Sequence, residues 1–204
     1  MRPEPGSWYP VEEMAASSAN SEPNVKGVAF RSVLTVLGEL HGDAIVQKVY
    51  EDLGPEHGET LRYRVVQTGW YPISLYRALW ASILKCTGND YEVVRRIGAG
   101  AIRRDVTGVY RVIFKVLSPE TVLGLSGKLF GNYYDTGTLT VVDKHHGSAR
   151  AVYEGCKGFD RAMWDELIGS ALELIAIGGG KNVRAKQEKG GGTTQGCVVL
   201  IEWD

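Results

Sequence analysis

The chain has 204 residues, 44% apolar and 23% charged, with 23 basic residues against 24 acidic ones and a formal net charge of −1. That length suits one ordinary domain or two small ones with a substantial core, and the balanced charge argues against a general nucleic-acid coat while allowing a local basic patch. No apolar run reaches the ~18–20 residues of a membrane-spanning helix, and the N-terminus lacks the apolar stretch of a secretion signal.

Residues 1–24 carry Pro3, Pro5, Pro10 and Pro23 with a Ser/Ala/Asn stretch and no apolar period, the pattern of a flexible leader. A single α+β domain is expected over 25–204. Its first half reads as helical. Val33, Leu34, Val36, Leu37 and Leu40 make one apolar face, closed by Gly42, and Asp43 is the expected N-cap of a second helix that Gly54-Pro55 stops. Residues 61–67 read as a short strand or an irregular approach to Trp70-Tyr71-Pro72. Pro72 then suits a first helical turn, and Ile73, Tyr76, Leu79, Trp80, Ile83 and Leu84 follow at helical spacing up to Gly88. Further helices are expected over 90–106, 108–117 and 119–134, separated by glycines and Ser118-Pro119.

The last third changes period. Residues 138–142 and 149–153 read as paired strands around the polar turn Lys144-His145-His146-Gly147. Residues 159–177 read as a helix with Met163, Trp164, Leu167, Ile168, Ala171, Leu172 and Ile175 as its apolar stripe, stopped by Gly178-Gly179-Gly180. Residues 183–187 and 197–203 close as a hairpin. A helical half followed by β-β-α-β-β predicts an α+β fold with a mainly antiparallel sheet.

Val25-Lys26-Gly27-Val28, Leu40-His41-Gly42-Asp43 and Gly69-Trp70-Tyr71-Pro72-Ile73-Ser74-Leu75-Tyr76 resemble a myxobacterial paralogous family of uncharacterised proteins. More distantly, Trp164, Gly169, the Gly178-Gly179-Gly180-Lys181 stop, Val183 and Cys197 leading into Val198-Val199-Leu200-Ile201-Glu202-Trp203 resemble a superfamily. It unites haem-dependent nitric-oxide/oxygen-binding domains, four-vinyl-reductase-type ligand domains and TRAPP vesicle-tethering subunits. That resemblance implies self-association through a helix face, and it raises haem as a cofactor, for which haem-binding relatives use a proximal histidine on a helix before the sheet and a Tyr-x-Ser-x-Arg motif. His41, His57, His145 and His146 fall outside the later helices, and Tyr153-Glu154-Gly155-Cys156-Lys157 puts Gly155 and Lys157 where that motif has Ser and Arg. Haem is therefore disfavoured, and no cofactor is assigned.

The remaining chemistry is sparse. His145 and His146 are consecutive and lack metal-ligand spacing, so a polar turn is the simpler reading. Gly98-x-Gly100 and Gly178-Gly179-Gly180-Lys181 lack the rest of a phosphate-loop pattern. Cys86, Cys156 and Cys197 are odd in number and widely spaced, as reduced cytoplasmic thiols are. Cys156 and Cys197 read as small buried hydrophobes, with lipid attachment or a reactive thiol the alternative implied by resemblance to tethering subunits and no choice between the two cysteines. Six basic residues, Arg95, Arg96, Arg103, Arg104, Arg111 and Lys115, face one acid, Asp105, over 95–115. On a helix Arg96 and Arg103, and Arg104 and Arg111, nearly align, which suits an acidic partner, a phosphate-bearing ligand or nucleic acid, although a solvated surface gives the same pattern. Trp70, Tyr71, Tyr76, Trp80, Phe114, Leu117, Val122, Leu123 and Leu125 suit either ordinary core or the lining of a cavity between helices and sheet.

The reading is a non-enzymatic small-molecule-binding or protein-interaction module in signalling or regulation, haem-free and cytoplasmic. Its candidate ligand residues are Trp70, Tyr76, Trp80, Phe114, Tyr153 and Cys156; its basic surface is Arg96, Arg103, Arg104 and Arg111. A hydrophobic small molecule and a second copy or acidic protein are the expected partners. The rival reading is an enzyme acting on a hydrophobic or tetrapyrrole-like substrate, for which no nucleophile, base and oxyanion donor assemble.

Overall fold

The computed structural model describes residues 22–109 and 118–204. Most of the expected leader, and Phe114, Leu117, Arg111 and Lys115 from the sequence reading, lie outside the described residues. Chain order begins with β1 (Asn24–Lys26), one residue before the expected start, then α1 (Gly27–His41) and α2 (Asp43–Asp52). Val33, Leu34, Val36 and Leu37 of α1 are buried as their spacing requires. Gly42, at φ +82°, sits between these two helices, a left-handed conformation that favours glycine. Asp43 is the first residue of α2 and makes no capping bond, which corrects its expected N-cap role.

The second helix ends at Asp52, just before Gly54-Pro55, as expected, and a further short helix follows at once. Pro55 enters the first turn of α3 (Gly54–Glu59), where its missing N–H costs nothing. A π-helical turn over Thr60–Arg64 follows, closed by Val65 N donating to Thr60 O at 3.1 Å. Of the two expectations for 61–67 the strand is absent: Leu61 is buried from within the π-helical turn, and the chain leaves it at Val65, extended, for an irregular approach to Trp70-Tyr71-Pro72. β2 (Trp70–Pro72) pairs antiparallel with β1, Val25 opposite Tyr71, and delivers the chain into α4 (Ile73–Cys86) with Pro72 at the cap position.

α5 (Tyr91–Val109) is continuous through Gly98 and Gly100, as expected of a helix over 90–106, and also through Gly108, where the sequence suggested that a new helix begins. Gly98 and Gly100 serve close packing: a methyl at Gly98 would collide with the Glu166 carbonyl, and one at Gly100 with the Val36 side chain. α6 (Pro119–Tyr133) starts on Ser118, whose hydroxyl accepts from Thr121 N at 3.4 Å, with Pro119 in its first turn. β3 (Thr138–His145) and β4 (Ser148–Glu154) form a hairpin that extends further into the expected polar turn, and its register is irregular between Val142 and His145. α7 (Arg161–Ile177) is capped by Asp160, whose Oδ1 accepts from Met163 N at 3.1 Å. β5 (Arg184–Gly190) and β6 (Cys197–Glu202) complete an antiparallel sheet of order β3-β4-β6-β5. The α+β class and the β-β-α-β-β order therefore hold.

α7 and α5 cross closely because each presents a glycine to the other's backbone: Gly98 meets Glu166, and Gly169 meets Arg95. Arg95 Nε reaches Asp165 Oδ1 at 2.7 Å beside this crossing. Ala149, Ala151 and Tyr153 of β4 and Cys197, Val199 and Ile201 of β6 are buried and belong to the core that includes Trp164 of α7. No helix among the described residues is long and apolar enough to cross a membrane.

Candidate ligand cavity

A cavity of about 70 Å³ lies between α5, α6, α7 and the inner face of the sheet. Each wall follows from a local pattern. α6 contributes Val122, Leu123, Ser126, Leu129, Phe130 and Tyr133, the i, i+3, i+4, i+7 series of one helical face. α7 contributes Glu166, Leu167, Ser170, Ala171 and Leu174 in the same way. α5 adds Ala101, Ile102 and Asp105, and the floor is Leu139, Ala151, Tyr153 and Ile201, whose side chains share the core-facing side of the sheet. An aromatic group closes one end: Phe130 stacks near Tyr134 with centroids 5.0 Å apart and meets Tyr153 edge-on at 5.7 Å.

Two carboxyl groups stand in this apolar wall. Glu166 is buried, and its Oε1 accepts from Tyr76 Oη at 2.6 Å while Oε2 accepts from Tyr134 Oη at 3.3 Å. Burial pushes its pKa up to about 7, held from going higher by the two tyrosine hydroxyls and more weakly by the indole of Trp80. That indole N–H is itself buried without a hydrogen-bond partner among the described residues. Asp105 is half-buried; its Oδ1 accepts from Ser32 Oγ at 2.6 Å and its Oδ2 from Tyr133 Oη at 2.7 Å. Burial raises its pKa as well, against those two bonds. Tyr133 and Tyr134 thus tie the C-terminal end of α6 to α5 and α7, and burial beside carboxylates raises both phenols well above their ordinary range.

Of the sequence candidates with described side chains, Tyr153 lines the cavity, as do Val122 and Leu123. Tyr76 and Trp80 are fully buried one layer behind it, with Tyr76 reaching it through Glu166. Trp70 stands apart, 42% exposed, with the Lys26 ammonium 4.4 Å above its ring. Cys156 is buried beyond the end of β4 and off the cavity, its thiol pushed up to about 12 mainly by burial. Burial likewise pushes Cys197 up to about 11, so neither thiol is poised as a nucleophile.

The basic residues of α5 are exposed but engaged within the chain. Arg103 Nε pairs with Glu173 at 2.6 Å, Arg104 pairs with Glu39, and Arg96 is exposed alongside them. All four histidines are exposed, and no group of three or more His, Cys, Asp or Glu side chains converges among the described residues.

Glu166 and Asp105 are the residues the sequence reading did not select. Glu166 had a usable signal: it lies one residue before Leu167 and four before Ser170, an acid on the apolar face of a helix. Asp105 stands out in sequence only as the single acid of a basic stretch.

No protein-family model and no curated protein matches the chain. Solved structures do match. An H-NOX protein from K. algicida in its Fe(II) unliganded form is 15% identical, with a TM-score of 0.67 over 88% of this chain and 96% of that one. An oxygen-binding H-NOX domain related to soluble guanylate cyclases, solved as its oxygen complex, is 14% identical with a TM-score of 0.66, covering 87% and 94%. A mutant of the T. Tengcongensis H-NOX is 16% identical with a TM-score of 0.59, covering 87% and 97%. The chain has an H-NOX-like α+β fold.

Proposed function

We propose that this chain is a haem-free small-molecule-binding module of signalling or regulation, built as one α+β domain from residue 25 onward. Its ligand is an apolar molecule that enters the cavity between the helices and the sheet. The observation that carries this reading is the cavity itself: thirteen of its twenty described lining residues are aliphatic or phenylalanine side chains.

Haem is the group that the structural neighbours suggest, and the residues present do not suit it. A haem iron takes its protein ligand from His, Cys, Met or Tyr. The described lining has no His, Cys or Met. Its Tyr133 and Tyr134 hydroxyls donate to Asp105 and Glu166, and burial raises the Tyr153 phenol above its ordinary range, so none is disposed to become a phenolate ligand. The propionates would meet two carboxyl groups and no base among those lining residues. The volume points the same way. About 70 Å³ is well below the ~300–1,000 Å³ of drug-sized ligands and about half the ~150 Å³ that admits benzene. A slender chain end fits this space; a macrocycle does not.

Response to a ligand follows from α6. It supplies six of the lining residues and is anchored at its C-terminal end by Tyr133 and Tyr134, so a molecule wedged against α7 favours a shifted α6. Such a shift requires stronger binding to one arrangement than to the other. Partner classes of this reading are a second copy or an acidic protein at the exposed Arg96, Arg103 and Arg104. Three free thiols suit a reducing cytoplasm.

Native mass spectrometry of gently purified full-length protein tests this reading, with Ala171→Phe as the filled-cavity control. A retained apolar adduct in the parent chain that is lost in the folded variant supports it. A bare chain that also fails to bind any apolar compound from a lipid and metabolite screen overturns it.

A further inference from the structure

The hydrogen-bonding inventory of the cavity is one-sided. Asp105 and Glu166 each accept two bonds from the protein, although a carboxylate offers about four acceptor positions. The donors around them are already engaged. Tyr133 and Tyr134 donate to those carboxyls, Ser126 Oγ donates to Leu123 O at 2.6 Å, and Ser170 Oγ donates to Gly98 O at 3.1 Å. Tyr153 is different: its side chain is buried at 5% exposure, it lines the cavity, and its hydroxyl has no hydrogen-bond partner among the described residues. No Lys, Arg or His belongs to the described lining.

We propose that the cavity selects an apolar molecule by a hydrogen-bond-donating head, that this head is a primary amine, and that carboxylate- and phosphate-headed lipids are rejected. This rests on the ligand-binding reading above and adds the polarity and charge of the ligand. An ammonium brings three donors and no acceptor, which is what the free lone pairs of Glu166, Asp105 and Tyr153 Oη lack. Its alkyl stem lies against Ile102, Leu123 and Leu174. Among the described lining residues an anionic head finds one free donor, Tyr153, and two carboxyl groups, so there its desolvation is uncompensated. Amine binding also favours the ionised form of Glu166. The groups around that carboxyl are Tyr76 and Trp80 from α4, Tyr134 from the end of α6 and Asp160 at the start of α7, all neutral or acidic. An ammonium is therefore the first cation Glu166 meets among the described residues.

The test is a matched series short enough for so small a space, n-propylamine, 1-propanol and propanoate, titrated calorimetrically into the full chain near neutral pH at fixed ionic strength. The proposal expects amine tighter than alcohol and alcohol tighter than carboxylate, with at least about a tenfold gap between the ends. Glu166→Gln weakens the amine by more than it weakens the alcohol, so the gap between the two closes. Asp105→Asn, measured in parallel, weakens the amine selectively should Glu166→Gln fail to fold. Carboxylate binding as tightly as amine, or amine affinity indifferent to both substitutions, overturns the proposal and leaves the cavity reading standing. Binding by none of the three overturns both.

Discussion

Tyr134, the residue after α6, donates its hydroxyl to Glu166 in α7 at 3.3 Å, while Tyr76 of α4 holds the other oxygen of the same carboxyl at 2.6 Å. One buried acid therefore joins three helical segments at the wall of the cavity. The two bonds differ in length, and their deletion should differ in cost. Tyr76→Phe removes a short, fully buried bond and is expected to destabilise the chain by about 2 kcal/mol; Tyr134→Phe is expected to cost about 1 kcal/mol or less. Urea unfolding of the two variants checks the order, which equal losses would contradict.

The pH dependence of stability has a definite sign. Burial carries Glu166 from its ordinary 4.5 up to about 7, so between those values the folded chain holds a proton that the unfolded chain has released. The associated stability is fully present below pH 4.5 and is lost as pH rises through 7, by on the order of 3 kcal/mol. Asp105, also raised by burial, adds a slope of the same sign. The difference in unfolding free energy between the parent chain and Glu166→Gln isolates the first contribution. It should shift in favour of the variant across that window; a difference independent of pH would contradict the assignment.

Glycines in two of the cavity helices, α5 and α6, should respond oppositely to alanine. At Gly98 the new methyl collides with the Glu166 carbonyl where α5 crosses α7, and a loss of about 1–3 kcal/mol is expected. Gly124 is exposed in the interior of α6 with nothing near its missing Cβ, so Gly124→Ala should gain up to about 1 kcal/mol from helix propensity. Thermal unfolding of the pair reads both signs.

Legibility in the sequence followed the strength of local patterning. The face of α4, the stripe of α7 and the order of the strands are written in spacing that survives packing. Gly108 misleads when taken as the boundary between two helices, because a glycine inside a helix looks the same in sequence as one that ends it. Residues 61–65 are ambiguous for a related reason: Leu-Arg-Tyr-Arg-Val alternates like a strand, yet 61–64 close a π-helical turn that buries Leu61. For the site, Tyr153, Val122 and Leu123 line the cavity, while Trp70, Tyr76, Trp80 and Cys156 lie elsewhere. An apolar residue's spacing tells that it is buried and not which void it faces. Glu166 and Asp105 escaped because their partners, Tyr76, Tyr134, Ser32 and Tyr133, lie 28 to 90 residues away in sequence.

The most direct measurement of the central claim is a methyl NMR titration of the full chain with 1-propanol, reading Ile102, Leu123, Leu129, Ala171 and Leu174 against Leu75 and Leu84 of α4. Occupation of the cavity predicts saturable shifts confined to the first group and abolished in Ala171→Phe. Shifts scattered over exposed methyls, or none in the lining at saturating alcohol, would contradict it.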